Sequence, residues 1–483
     1  MTTQPRQLHV NLFEMACVSH IVHGMWRAPD NNRHRFGEMA YWLEVAKLAE
    51  EGLFDAIFLA DVIGTYDRFG DGTAAALREG LQIPNLDPLM LVPAMAAVTK
   101  NIGFGVTFST TYEPPFAFAR RMATLDLLTE GRVGWNIVTS YLRSAARNFG
   151  MEDEIPHDQR YAIADEYLDV LYKLWEGSWD DDAVVNDVAS GIYANPDAVR
   201  PINHDGRHFR VAGPHLVSPG RQRTPVLFQA TGSPAGLEFA ARHAEVVFIG
   251  GQTTEAVREN IARTRARARA HGRNGDDIRF IVMAGIIADT TQHLAEKKLE
   301  KYRQYYSVEG ALIHAQAEID LRRYPEDAHI GDILKREGVP FGNMGRRFHP
   351  EQTVGSALRQ IASFDEGRFF VVGTPDRIAD EIERWLDVDG IDGINLRQYH
   401  TFETARDFID LVVPELQRRG RYRTAYTPRE TLRERLFTPG QPHLPNRHFG
   451  SRYRDSAALH APAEPFFPMK HFPGRPEHVL RNS

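Results

Sequence analysis

Residues 101–140 read NIGFGVTFSTTYEPPFAFARRMATLDLLTEGRVGWNIVTS. Two short runs rich in β-branched and aromatic residues, Ile102–Ser109 and Val133–Thr139, flank a helical stretch. Neither run alternates strictly between apolar and polar positions, so each reads as a strand buried on both faces. A buried strand, a helix and a second buried strand make the repeating unit of a parallel sheet. The same rhythm extends in both directions. It predicts strands at His9–Met15, Phe54–Ala60, Val226–Ala230, Val246–Gly250, Arg279–Ala284 and Gly393–Gln398, each followed by a helical pattern. With the first two these make eight. An open sheet would also show the alternation, but eight near-uniform apolar strands favour a closed (β/α)8 barrel, an α/β TIM barrel.

Two stretches interrupt the rhythm and read as insertions in a barrel that spans residues 1–425. Residues 177–224 are rich in Asp, Gly, Pro and His, and residues 307–374 carry Pro325, Pro340 and several glycines. Insertions of this kind sit in loops, and the second is expected to cover the mouth of the barrel as a lid, with a merely decorative loop as the alternative. Residues 426–483 hold many Pro, His and Arg residues without a sustained apolar period, and are expected as an extended C-terminal tail.

Bulk properties narrow the function. The chain has 483 residues and is 42% hydrophobic, enough for a large core, and its net charge is −7. No basic face is implied, which argues against nucleic acid as a partner. Cys17 is the only cysteine, so an internal disulfide is excluded and a reducing compartment fits. The first residues lack the charged-then-apolar order of a signal peptide, and no apolar run approaches the roughly 18 residues needed to cross a bilayer. The expectation is a cytoplasmic protein that does not engage a membrane.

In a barrel the C-terminal strand ends face the active site. Asp61 ends the second strand, Thr107, Ser109 and Thr110 lie on or just after the third, Asn136 and Thr139-Ser140 on the fourth, and Gly232-Ser233 after the fifth. Each alone is more simply a helix cap or loop contact. Together they ring one mouth. Thr231-Gly232-Ser233-Pro234 precedes a helix, whose free backbone N–H groups and dipole suit an anion such as phosphate, although capping explains so short a motif equally well. His157-Asp158-Gln159-Arg160-Tyr161 opens another helix and brings an imidazole, a guanidinium and a phenol to the same mouth.

The segment Asn11–Arg27, NLFEMACVSHIVHGMWR, places a thiol, two histidines and aromatics beyond the first strand. His20 and His23 are three apart, but no third ligand falls at a recognisable spacing, so no metal site is expected. His20 reads better as a proton donor or a substrate-orienting group. Cys17 reads as a small hydrophobe lining a pocket, because no base stands beside it. Phe13, Trp26, Phe58, Tyr66, Phe104 and Phe108 are candidate walls of an apolar site, with plain core as the alternative. No Gly-x-Ser-x-Gly, P-loop or Gly-x-Gly-x-x-Gly pattern supports a hydrolase or a dinucleotide site.

The strings NLFEMACVSHIVHG, FLADVIGTYD, VTFSTTY and GRVGWNIVTS, with His157–Tyr161 and Thr231–Ser233, resemble the nitrilotriacetate and dibenzothiophene-sulfone monooxygenase branch of the bacterial-luciferase-like superfamily. Within that branch they are most similar to the long-chain alkane and dimethyl sulfide monooxygenases. The resemblance covers roughly residues 8–425. It implies a (β/α)8 barrel and FMN used in reduced form, FMNH2, supplied by a separate NAD(P)H-dependent flavin reductase. It also implies O2 as co-substrate and a homodimer or homotetramer. By position it places Asp61 and Thr107 beside the flavin ring and ribityl chain, with Asn136 as a further contact. His157, Tyr161 and Ser233 fall at the phosphate end, and Cys17, Tyr66 and Gln82 in the substrate pocket. His20 is implied as the proton relay. One departure stands out: where the alkane enzymes carry a functional histidine this chain has Tyr141, a second candidate for the catalytic proton.

The expected reaction is insertion of one atom of O2 into a small hydrophobic substrate by way of a C4a-hydroperoxyflavin. Such an oxygen is electrophilic, and a sulfur lone pair is an easier target than an unactivated C–H bond. A dialkyl sulfide such as dimethyl sulfide is therefore favoured, with terminal hydroxylation of a long alkane as the alternative. A deazaflavin-dependent dehydrogenase and a non-catalytic flavin-binding protein are the readings from other classes; hydride transfer without O2 uptake marks the first and absence of turnover the second.

Overall fold

The structure, a computed structural model, describes residues 5–70, 72–250, 253–341, 348–362 and 369–460. Eight parallel strands close on themselves in chain order: β1 His9–Met15, β2 Ala56–Ala60, β3 Gly103–Ser109, β4 Val133–Val138, β5 Val226–Thr231, β6 Val246–Ile249, β7 Arg279–Ala288 and β8 Gly393–Arg397. Closure is made by β8 on β1, from Gly393 opposite His9 to Arg397 opposite Phe13, and by β6 on β7, from Val246 opposite Arg279 to Phe248 opposite Ile281. The expected barrel is therefore the fold observed. Seven strands end within two residues of the expected limits.

The exception is β7, which runs four residues past Ala284. Its far half, Ala284–Ala288, pairs with an additional strand, Phe369–Gly373, which lies within the second insertion and outside the barrel rhythm of the sequence. That strand lies on the β6 side of β7, above the point where β6 ends.

The barrel interior is filled by aromatic rings. Phe58 packs edge-on to Phe228 and Phe248, with centroids 5.7 and 4.4 Å away, and Phe13 lies 5.7 Å from Phe58. This layer explains two glycines in the opening stretch. A Cβ on Gly105 would stand 2.8 Å from Phe58 Cδ2, and one on Gly134 would stand 2.4 Å from Phe228 Cε2. Strands β3 and β4 give up side chains there so that two large rings can fit, at native packing density.

The lower end of the barrel is plugged from the C-terminal segment. Leu432 and Leu436, on a short helix Leu432–Leu436, join the interior cluster of Ala56, Phe58, Val226 and Phe228. Between them, fully buried Arg433 donates through Nε and Nη2 to Glu245 at 2.7 and 2.9 Å. Residues 426–460 thus contain short helical turns seated against their own barrel, and residues 461–483 lie outside the described residues.

Residues 177–224 form two small antiparallel hairpins, tied to the helix His157–Tyr172 by Glu166, which accepts from the backbone of His208 and Phe209. The second insertion supplies helices Val308–His314, Ile330–Glu337 and Val354–Ala362, whose apolar faces form a separate cluster with Tyr66 and Leu142 at the barrel mouth. Among the described residues no helix is long and apolar enough to cross a membrane.

Candidate active site

Two connected cavities open at the C-terminal ends of the strands. One, of about 410 Å³, descends toward the aromatic interior; the other, of about 620 Å³, runs outward between β4 and β5. They share Asp61, Val62, Val138, Tyr141, Ala230 and Thr231. Six of the expected residues line the inner cavity: His20, Asp61, Gln82, Thr107, Asn136 and Tyr141. His157, Tyr161 and Ser233 line the outer one, together with buried Arg160. Phe13 and Phe58 wall the inner cavity, whereas Phe104 belongs to the core and Trp26 stands outside both.

Parallel pairing sets the inner polar wall. Thr107 lies opposite Asn136 across β3 and β4, and Asn136 Nδ2 donates to Thr107 Oγ1 at 2.9 Å. That bond occupies one end of the amide and leaves Asn136 Oδ1 buried without a protein partner. On the next strand Gln229 Oε1 and Thr231 Oγ1 are in the same condition, and both residues line the outer cavity. Buried polar atoms are normally satisfied, so three such atoms spread over the two connected cavities mark the surface of a polar ligand. Asp61, at the end of β2, accepts from Asn85 Nδ2 at 2.6 Å. Burial pushes its carboxyl up to about 7; Asn85 opposes the shift and the charge of Asp87 adds to it.

At the far end of the outer cavity the chain has built a cradle. Ser233 caps the helix Pro234–His243, its Oγ accepting from Gly236 N at 3.1 Å. A Cβ placed on Gly236 would lie 1.8 Å from Thr231 Oγ1, 2.6 Å from Tyr161 OH and 3.0 Å from Ser233 Oγ. Three hydroxyls therefore converge on the space that this glycine leaves open at a helix N-terminus, where an anion is favoured. Arg160, on the first turn of the other helix, donates to Ser140 O and approaches Glu154 at 3.5 Å. His157 stands at the rim, half-exposed and bonded to Asp158 at 2.8 Å.

Opposite the polar wall the inner cavity meets a relay of phenols. Tyr141 and Tyr66 hydroxyls are 2.6 Å apart, Tyr66 OH donates to Gln82 Oε1 at 3.2 Å, and Gln82 Nε2 donates to His20 O at 3.1 Å. Burial and the neighbouring phenol hold Tyr66 well above the usual tyrosine range, so it stays a neutral phenol. Tyr66 does not line the cavity; it stands behind Tyr141. Cys17 does not line it either. Its backbone bridges to Asn85, its side chain has no exposed surface, and burial pushes the thiol up to about 12.

His20 packs edge-on against Phe13 at 4.6 Å. Burial, followed by the fields of Arg33, His314 and Arg397, holds it well below the usual histidine range, so its ring is neutral. A second imidazole escaped the sequence reading. His314, the last residue of the helix Val308–His314, lines the same cavity, 5.0 Å from the ring of His23 and 5.6 Å from that of Tyr66. It lies in the insertion expected over the mouth, but that stretch has no period that singles out one side chain. Among the described residues no three His, Cys, Asp or Glu side chains gather as ligands to a metal.

Comparison with known proteins agrees with this geometry. The luciferase-like monooxygenase family pattern matches residues 19–392. The chain is 48% identical to the long-chain alkane monooxygenase of Geobacillus thermodenitrificans, over 93% of this chain and 98% of that protein. It is 41% identical to the dimethyl-sulfide monooxygenase of Hyphomicrobium sulfonivorans, over 93% and 94% respectively. A riboflavin lyase solved with modified FMN and riboflavin superimposes with a TM-score of 0.84 at 36% identity, covering 93% of this chain and all of that one.

Proposed function

Since this chain belongs to the luciferase-like monooxygenase family, we propose that it uses reduced FMN and O2 to oxygenate a neutral hydrophobic substrate, a dialkyl sulfide before an alkane. The observation that carries the cofactor is the polar wall: Asn136 Oδ1, Gln229 Oε1 and Thr231 Oγ1 are buried without protein partners along a path that ends in the hydroxyl cradle at Gly236. A heterocycle with amide-like edges, a polyol chain and a terminal phosphate matches that order. Thr107, Asn136 and Asp61 would hold the ring end, and Tyr161, Ser233 and the N–H groups after Ser233 the phosphate, with His157 and Arg160 beside it. Bound in reduced form, FMN would supply the activation of O2 and the two electrons that turn the second oxygen atom into water. The likeness to a nitrilotriacetate monooxygenase component A, 36% identical, supports supply of the reduced flavin by a separate NAD(P)H-dependent reductase.

The protein's own part is exclusion of water and placement of protons. Phe13, Phe58, Phe248 and the helices of the second insertion close an apolar chamber around the reacting end. Tyr141 lines the chamber, and its hydroxyl is held by Tyr66, which is bonded in turn to Gln82. With FMN bound, its O–H, turned from Tyr66 toward the cavity, would be placed to donate a proton there. His20, neutral, is available at one ring nitrogen to accept and return a proton. His314 lines the same space, 5.6 Å from the ring of Tyr66.

A sulfide fits an electrophilic oxygen delivered without any charged residue to activate carbon. Long alkanes remain the second reading because of the 48% identity to an alkane monooxygenase. Incubation with FMN, NADH, a flavin reductase and either dimethyl sulfide or hexadecane, followed by analysis of oxygenated product, tests both. Product from a sulfide supports the first reading and product from hexadecane alone replaces it with the second. Reductase-dependent turnover without O2 uptake would refute oxygenation.

A further inference from the structure

The inner cavity does not stop at the barrel wall. Strand β6 pairs with β7 only as far as Phe248 opposite Ile281, and the additional strand begins on the same edge of β7 with Phe369 opposite Ala284. Val282 and Met283 therefore have a strand neighbour on the β8 side, where they face Ile394 and Asn395, and, among the described residues, none on the other. A gap one strand wide and two residues long is left in the wall. The cavity passes through it. Ile249, Val257, Val282, Phe369 and Trp385 line the far side, between the barrel and its outer helices.

Among the described residues the side chains that line this arm are apolar. Trp385 Nε1 donates to Glu381 Oε1 at 2.9 Å, so the only polar atom of its ring is already bonded, and the ring stacks on Phe369 at 5.0 Å. An apolar space continuous with a reaction chamber is stabilised by filling with hydrocarbon, at about 0.8 kcal/mol for each methylene removed from water. Such a space offers no hydrogen bond to a polar group.

We infer that this arm, leaving the barrel between β6 and the additional strand, binds an unbranched alkyl chain of the substrate and sets its preferred chain length. The inference rests on the proposed oxygenation of a hydrophobic substrate and sharpens it. One end of the molecule sits at Tyr141 and His20, and a chain of several methylenes runs past Met283 to Trp385. Dimethyl sulfide would leave the arm empty, so the preferred sulfide carries at least one longer alkyl group, and a linear alkane would use the same arm.

Trp385 makes the occupant visible without turnover, because bromine in contact with an indole quenches its fluorescence. Titration of the full-length protein with 1-bromododecane is expected to give saturable quenching that dodecane does not give, and Trp385→Phe is expected to lose most of it. Val257→Phe, which extends a ring into the arm, is expected to weaken bromododecane binding at least about tenfold, the cost of excluding two or more methylenes. FMN affinity, read from flavin fluorescence, should change less than about twofold. Quenching that survives Trp385→Phe would overturn the inference. So would loss of FMN affinity in Val257→Phe, which would assign the arm to the edge of the flavin ring. Should the protein bind bromododecane through Trp385 yet fail to bind FMN, the arm stands and the proposed oxygenation falls.

Discussion

Tyr141 is the residue on which the chemistry turns. Its hydroxyl lies 2.6 Å from that of Tyr66, and the residue lines the reaction chamber. Tyr141→Phe keeps the ring and removes the donor. It is expected to lower product formed per NADH consumed by at least about tenfold, the size of one lost proton donation, while FMN affinity stays unchanged. Equal product yield would remove Tyr141 from the mechanism. Cys17 should be inert: with its thiol pushed up to about 12 and no surface exposed, the folded protein should resist iodoacetamide at pH 8, and rapid labelling would contradict its burial. Asp61 carries a pH signature. Its folded value of about 7 lies above the unfolded 3.8, so folding favours the protonated form. The contribution is whole below pH 4 and is lost as pH rises through 7. Asp61→Asn should therefore gain stability relative to the parent between pH 5 and pH 8 in urea titrations; an identical difference at both would show that Asp61 is not buried as described. The placement of Asp61, Thr107 and Asn136 was legible because strand ends of a barrel share one mouth. Cys17 and Tyr66 were read as walls because sequence cannot separate a residue facing a cavity from one standing behind it.

At the scale of elements, β-helix units were legible from apolar runs, and the strand limits agree within two residues for seven of eight strands. The additional strand Phe369–Gly373 was missed because its five residues sit in a stretch rich in Gly and Pro, with no barrel period to announce it. Its consequence is the gap beside Val282 and Met283. The turn from β5 into the helix Pro234–His243 gives the sharpest test of the phosphate end. Gly236→Ala puts a methyl 1.8 Å from Thr231 Oγ1 and 2.6 Å from Tyr161 OH. FMN should bind at least about tenfold more weakly, and riboflavin, which lacks the phosphate, should be affected less than about twofold. Equal weakening of both would move the phosphate away from Gly236.

The whole molecule is a barrel closed below by its own C-terminal segment and above by the second insertion. The upper closure was legible as an insertion over the mouth, whereas the plug of Leu432 and Leu436 was not, since it depends on contacts between residues hundreds of positions apart. Arg433 and Glu245 show the cost of breaking the lower one. Both are buried, and Arg433→Ala would strand a carboxylate in the core. A loss of about 3–5 kcal/mol is expected in urea unfolding, and a loss under 1 kcal/mol would mean that the segment is not part of the folding unit. The chamber between the two closures is where one oxygen atom is to be transferred. The most direct measurement is therefore mass analysis of the product formed under ¹⁸O2 from a dialkyl sulfide with one long alkyl group, with FMN, NADH and a flavin reductase present. The account predicts one ¹⁸O atom per product molecule, dependent on both the reductase and this protein; product carrying oxygen from water, or substrate oxidised without O2, would contradict it.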